Sequence, residues 1–365
     1  MTARLAATMR EAMRLLKTGN LGAATSAIKT GLQPAPHVHT APPFDDAIEG
    51  SYRTFHDAPA PAFVPPKRET PWTPPRDTAP DRFITGSFSS DHGTRQYKLF
   101  VPGGHQGEPL PLVVMLHGCT QSADDFARGT RMNVLAAARP CFVLYPEQAQ
   151  SANGSKCWNW FRSSDQMRDS GEPAIIAGLT REIVTTYDLD ARRVYIAGLS
   201  AGGAMAVVMG ELYPDVYAAI GVHSGLPFAA AHDAASAFAA MKGKHTQTVS
   251  STHASGPLIP TIVVHGDRDK TVHPDNGHKV AFAAHDKRNG AHPRSDKGRV
   301  PRGHTYTRTE LRDEAGKVIV EYWLVHGGGH AWFGGNSEGS HTDPRGPDAS
   351  HEMLRFFYQH KLNAS

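Results

Sequence analysis

In Arg193-Val194-Tyr195-Ile196-Ala197-Gly198-Leu199-Ser200-Ala201-Gly202 a short apolar, β-branched run passes into a serine with glycine two residues to either side. The helical periodicity of Ala201 to Leu212 follows directly. A strand that turns sharply into a helix needs glycines there, because the neighbouring backbone comes too close for a Cβ. The turn leaves the Ser200 hydroxyl standing alone at the end of a strand. The helix N-terminus beside it favours any negative charge that develops.

The same alternation continues on both sides. Strands are expected at Gln96 to Val101, Leu112 to Leu116, Phe142 to Tyr145, Val194 to Ala197, Ala218 to Val222, Thr261 to Val264 and Val318 to Val325. Most are too continuously apolar to have a wet face, which favours a mostly parallel sheet covered by helices on both sides. Pro173 to Tyr187, Ala201 to Leu212 and Ser350 to Leu362 supply helices. The expected class is α/β with a doubly wound, mostly parallel sheet, over residues 83–365. Ahead of it, Leu5, Met9, Ala12, Met13 and Leu16, then Leu21, Ala24, Ile28 and Leu32, predict a helical hairpin over 1–32. Residues 33–82 are proline-rich and read as a linker or strap.

A serine hydroxyl is a weak nucleophile until a base takes its proton and a third group orients that base. Two acids follow the strand Thr261 to Val264, Asp267 and Asp269, and two histidines follow the strand near Val325, His326 and His330. Asp269 is chosen as the orienting acid, with Asp267 the better fit to a solvated turn. His330 is chosen as the base because it follows the glycine turn Gly327-Gly328-Gly329, whereas His326 sits at the strand end. Backbone N–H groups must also face the oxyanion. The turn His117-Gly118-Cys119 after Leu112 to Leu116, with the start of the helix after Ser200, makes Cys119 and Ala201 the expected donors.

Composition excludes other classes. The net charge is +3, with 38 basic and 35 acidic residues spread along the chain, and no basic block marks a nucleic-acid footprint. No run of about 18 apolar residues is present for a membrane-spanning helix. The N-terminal stretch is broken by Arg4, Arg10, Glu11, Arg14 and Lys17, so no cleaved export signal is read and a cytoplasmic location is expected. Three cysteines without Cys-x-x-Cys spacing, and 21 scattered histidines without His-Glu-x-x-His, call for no metal, and no cofactor is expected.

Five motifs in order, His117-Gly118-Cys119-Thr120-Gln121, Tyr145-Pro146-Glu147-Gln148, Cys157-Trp158-Asn159-Trp160-Phe161, Gly198-Leu199-Ser200-Ala201-Gly202 and Gly329-His330-Ala331-Trp332, resemble the polyhydroxybutyrate depolymerase-like esterases of the α/β-hydrolase superfamily. Feruloyl and acetylxylan esterases are related to that family. The resemblance runs from about Thr85 to the C-terminus. It implies a Ser200, Asp269 and His330 triad, an oxyanion donor at Cys119, and ester substrates made of short 3-hydroxyacyl units, with feruloyl- or acetylxylan-type esters as the alternative. A non-catalytic protein on this fold would lack a triad member, and none is missing. The resemblance also implies that Cys119 can be tied to Cys157, which conflicts with a reducing compartment. Cys141 reads as a small buried hydrophobe. Trp158, Trp160 and Trp332 are candidates to line an acyl groove, and Leu226 to Pro260 falls where such enzymes insert a cap. The apolar stripes of residues 1–32 must dock somewhere: on their own domain, in a homodimer contact, or on a polymer surface.

Overall fold

Apolar runs with no polar alternate face are satisfied only where both sides of a sheet are covered, and that is how this chain folds. The computed structural model describes residues 80–104, 108–244, 259–282 and 293–363. The expected helices of 1–32, their docking, and nearly all of the proline-rich stretch lie outside the described residues, as do 245–258 of the expected cap. Ten strands form one sheet: β1 (Arg82–Ser90), β2 (Gly93–Val101), β3 (Leu112–Leu116), β4 (Phe142–Glu147), β5 (Val194–Leu199), β6 (Ala219–His223), β7 (Thr261–Gly266), β8 (Arg294–Arg299), β9 (Thr305–Arg312) and β10 (Val318–His326). Their spatial order is β1-β2-β4-β3-β5-β6-β7-β10-β9-β8. From β4 across to β10 neighbours are parallel. The margins are antiparallel, β1 and β2 at one side and β9 and β8 at the other.

Seven helices accompany the described sheet: α1 (Ala123–Thr130), α2 (Met132–Ala138), α3 (Gly171–Thr186), α4 (Ala201–Leu212), α5 (Ala234–Met241), α6 (Asp275–Phe282) and α7 (Ala349–Phe357). Because side chains alternate across a strand, Val194 and Ile196 of β5 join the core under α3, α4 and α5, while Tyr195 and Ala197 join the core under α1, α2 and α7. α4 is buried along nearly its whole length, with Glu211 the one residue exposed, which suits a helix apolar on all sides. A two-stranded pair, β11 (Trp332–Phe333) with β12 (Thr342–Asp343), closes the loop after β10. Among the described residues no helix is long and apolar enough to cross a membrane.

Three strands have no counterpart in the apolar runs. β1 and β8 are edge strands, and β8, Arg294-Ser295-Asp296-Lys297-Gly298-Arg299, is almost wholly exposed. β9, between β10 and β8, carries Arg308, Glu310 and Arg312, which pair with one another and with Asp296. A charged edge protects a sheet from pairing with other chains, and it hides the strand from a reading based on hydrophobicity.

Candidate active site

The parallel strands deliver every candidate group to one rim, the C-terminal edge of the sheet, where open α/β sheets bind ligands. Ser200 follows β5, the His117–Gln121 turn follows β3, Asp269 follows β7 and His330 follows β10. Ser200 adopts φ 57° and ψ −117°, a conformation that costs a non-glycine residue about 1–3 kcal/mol. Its surroundings enforce it. The Ser200 N–H donates to the His223 carbonyl at 2.9 Å, and a Cβ on Gly202 would be driven into the backbone of Leu116 and His117. That close approach brings the β3 turn against the serine turn.

The two acids and two histidines left open by the sequence sort themselves into pairs. His330 Nδ1 donates to Asp269 Oδ2 at 2.6 Å. The Asp269 side chain is wholly buried while that of His330 is 14% exposed, so the acid is enclosed and the far ring nitrogen can reach solvent or substrate. Asp269 Oδ1 accepts from the N–H groups of Thr271 (2.8 Å) and Val272 (2.9 Å). Burial alone would raise its pKa; His265 and His330 outweigh that and hold it well below the ordinary carboxylate value. His265 Nε2 donates to the Val272 carbonyl (2.9 Å) and lies 3.4 Å from Asp269 Oδ2. Asp267, by contrast, accepts from His326 Nδ1 at 3.0 Å and from the Gly327 N–H at 2.7 Å, in a half-exposed pair beside that of Asp269 and His330.

His223 ties the Ser200 turn to the loop that carries His330. Its carbonyl holds Ser200, and its Nε2 accepts from the Phe333 N–H (3.1 Å), three residues beyond His330. An N–H can only donate, so Nε2 carries no proton and the ring is neutral. Burial, then the neighbouring His265 and His330, push its pKa well down.

The expected oxyanion turn is braced from several sides. His117 Nδ1 donates to the Gly118 carbonyl (2.7 Å), and His117 Nε2 accepts from the Gln148 N–H (3.1 Å). Burial lowers the His117 pKa, in keeping with a neutral ring. The Gly118 N–H donates to Gln121 Oε1 (2.9 Å), and Gln121 Nε2 reaches Asp125 and Ser340. Cys119 is disulfide-bonded to Cys157, with Cα atoms 4.2 Å apart, and Thr120 N–H donates to the Ser155 carbonyl (2.7 Å). Of the two conflicting expectations for these cysteines, the structure has the bond. Cys141 is free and buried, its thiol pushed up to about 12 by burial. Because Thr120 still anchors the turn, reducing the disulfide is expected to slow any reaction that uses this turn by about fivefold, equivalent to ~1 kcal/mol. Assays with and without a phosphine reductant check this; unchanged kcat after verified reduction counts against the brace.

The three tryptophans do not form a groove. Trp332 is 1% exposed, stacks on His223 with centroids 5.0 Å apart, and donates Nε1 to Ser350 Oγ at 3.0 Å. Trp158 and Trp160 are likewise buried, Trp158 beside the His117 ring and Trp160 against Phe161. Large rings next to the rim serve here as packing under the turns, the commoner use of buried aromatics. In the sequence His117 stands only as part of the turn, with no role of its own, and Glu172, His223 and His265 are not singled out. The last two are polar residues at the C-terminal ends of β6 and β7, each directly after an apolar run, which was the available signal.

Residues 95–291, more than half of the chain, match the family profile described as esterase PHB depolymerase. The chain is 34% identical over 199 residues to poly(3-hydroxyalkanoate) depolymerase C of Paucimonas lemoignei, covering 52% of this chain and 48% of that protein. It is 30% identical over 238 residues to poly(3-hydroxybutyrate) depolymerase of Ralstonia pickettii, covering 61% and 48% respectively. It thus spans about half the length of the curated relatives it matches. The solved acetyl xylan esterase from Aspergillus awamori shares the fold, with a TM-score of 0.56 at 18% identity over 73% of this chain and 94% of that one. A serine held in a strained strand-to-helix turn, an acid and a histidine paired on the same rim, and a matching profile across the central sheet together place the chain in the esterase PHB depolymerase family.

Proposed function

We propose that this protein is a serine esterase that cleaves carboxylic esters through an acyl-enzyme, with poly- or oligo-3-hydroxyalkanoates as its substrate class. The observation that carries the reading is the buried Asp269 bonded to a partly exposed His330 on the rim that also bears Ser200. In the proposed cycle Ser200 Oγ attacks the ester carbonyl carbon and its proton passes to His330 Nε2. The carbonyl oxygen becomes an oxyanion facing the Cys119 and Ala201 N–H groups. Collapse breaks the acyl–oxygen bond, and the alkoxide leaves as an alcohol with the proton from His330. Water then attacks the acyl-Ser200 ester by the same route, releasing the acid and restoring the serine. Asp269 holds the imidazole with its proton on Nδ1, so that Nε2 is free to accept.

The substrate class rests on the two depolymerase relatives, and a hydrolysis panel tests it. Hydroxybutyrate oligomers are expected to be turned over with a higher kcat/KM than methyl ferulate or acetylated xylan; the reverse order assigns the chain to the plant-polysaccharide esterases instead.

Since a histidine base must be unprotonated to accept the serine proton, activity is expected to rise with pH between about pH 5 and 8. Asp269, held far below that range, adds no second step there. A flat kcat/KM profile between about pH 5 and 8 contradicts a histidine base.

A further inference from the structure

Glu172 lies in the first turn of α3, is 4% exposed, and has no part in the chemistry above. We infer that it is the positioning residue of the oxyanion turn, aiming the Cys119 N–H through Gln148 and His117. The inference rests on the reading of Ser200 as nucleophile and of that N–H as a donor to the oxyanion.

Four donors converge on the Glu172 carboxylate. Gln148 Nε2 and Asn159 Nδ2 (2.6 Å) reach Oε1, as does Arg95 Nη2 at 3.3 Å, and the Asn159 N–H reaches Oε2 at 2.7 Å. An ionised carboxylate accepts and cannot donate, so it matches this shell where an amide would not. Burial raises its pKa, which marks a carboxyl held there against its own preference for water.

Two arms lead from this hub to Cys119. Along the first, Gln148 bonds Glu172 through its side chain while its backbone N–H holds His117 Nε2, and His117 Nδ1 holds the Gly118 carbonyl. The Gly118 carbonyl and the Cys119 N–H belong to one planar trans peptide and point in opposite directions. Whatever fixes the carbonyl therefore aims the N–H. Along the second arm, Gln148 Nε2 also donates to the Cys157 carbonyl (2.9 Å) and Asn159 is fixed by Glu172, which seats the loop whose Cys157 is bonded to Cys119. One arm sets the amide plane of Cys119 and the other its side chain. This also gives a physical role to Tyr145-Pro146-Glu147-Gln148 and Cys157-Trp158-Asn159-Trp160-Phe161, which carry no group of the triad.

Glu172→Gln tests the inference, because it keeps the shape and turns an NH₂ toward an all-donor shell. The expected result is a fall in kcat for a soluble ester of about tenfold or more, less than the 10²–10³ of losing an oxyanion donor outright. KM should stay within about twofold, and the pH midpoint of kcat/KM should not move. Affinity for phenylboronic acid, whose tetrahedral adduct on Ser200 places an oxygen where the oxyanion would sit, should fall by the same factor as kcat. A folded Glu172→Gln variant with kcat within about twofold of the parent, or one that loses kcat but keeps boronate affinity, overturns the inference. If that variant does not fold, Gln148→Met decides: it removes the side-chain link but keeps the backbone N–H, and is expected to lower kcat and boronate affinity together by about threefold or more, with no change in either overturning the inference. A parent enzyme that neither hydrolyses esters nor binds the boronate contradicts the esterase reading itself, a result distinct from both.

Discussion

Ser200→Ala is expected to lower kcat for soluble esters by about 10⁴-fold or more while the protein stays folded. The substitution removes the attacking oxygen and little else. The Ser200 backbone remains held by the His223 carbonyl, and the turn is still enforced by the approach of Gly202 to Leu116. Ser200→Gly supplies a second readout. It should be equally inactive, yet unfold at a higher temperature than the alanine variant, because φ 57° with ψ −117° costs any side chain that glycine lacks. Residual turnover above a few percent in both, under conditions that exclude contaminating esterase, removes Ser200 from the chemistry.

Asp269→Asn is expected to cost about 10⁴-fold in kcat, and Asp267→Asn no more than a few-fold. The two residues stand two apart on one loop, and each is bonded to a histidine. What separates them is their surroundings. Asp269 is enclosed and accepts from two backbone N–H groups as well as from His330, so an amide there presents an NH₂ to donors and turns the imidazole to the wrong tautomer. Asp267 is about one-third exposed, and water can replace what its pair with His326 provides. The paired measurement is kcat/KM for both variants on one soluble ester. If Asp267→Asn is the damaging change and Asp269→Asn the mild one, the acid is misassigned.

The centre of this fold was legible because its strands are buried on both faces and the chain says so in runs such as Leu112–Leu116 and Val194–Leu199. The outer strands β8 and β9 were not, since an edge strand is selected for charge and looks like a loop. At the site, Gly198 and Gly202 announce a strained turn at Ser200. The choice of Asp269 and His330 over Asp267 and His326 turned on spacing, and it is the geometry that gives the two pairs their different burial. Trp158, Trp160 and Trp332 misled because an indole near the rim is equally suited to packing and to binding, and only burial tells the two apart. The shell around the oxyanion turn was invisible for another reason. Glu172, Gln148 and His117 are separated by tens of residues and meet only once β3, β4 and α3 are assembled.

The most direct test of the account is covalent. Incubation with diisopropyl fluorophosphate, which phosphorylates a serine activated by a neighbouring base, should inactivate the enzyme with one adduct per chain. Peptide mass spectrometry should place that adduct on Ser200. Labelling should fail in His330→Ala and in Asp269→Asn and persist in Asp267→Asn. An adduct on another residue, or full ester hydrolysis by a chain that Ser200 labelling does not inactivate, would contradict the assignment of Ser200 as the nucleophile.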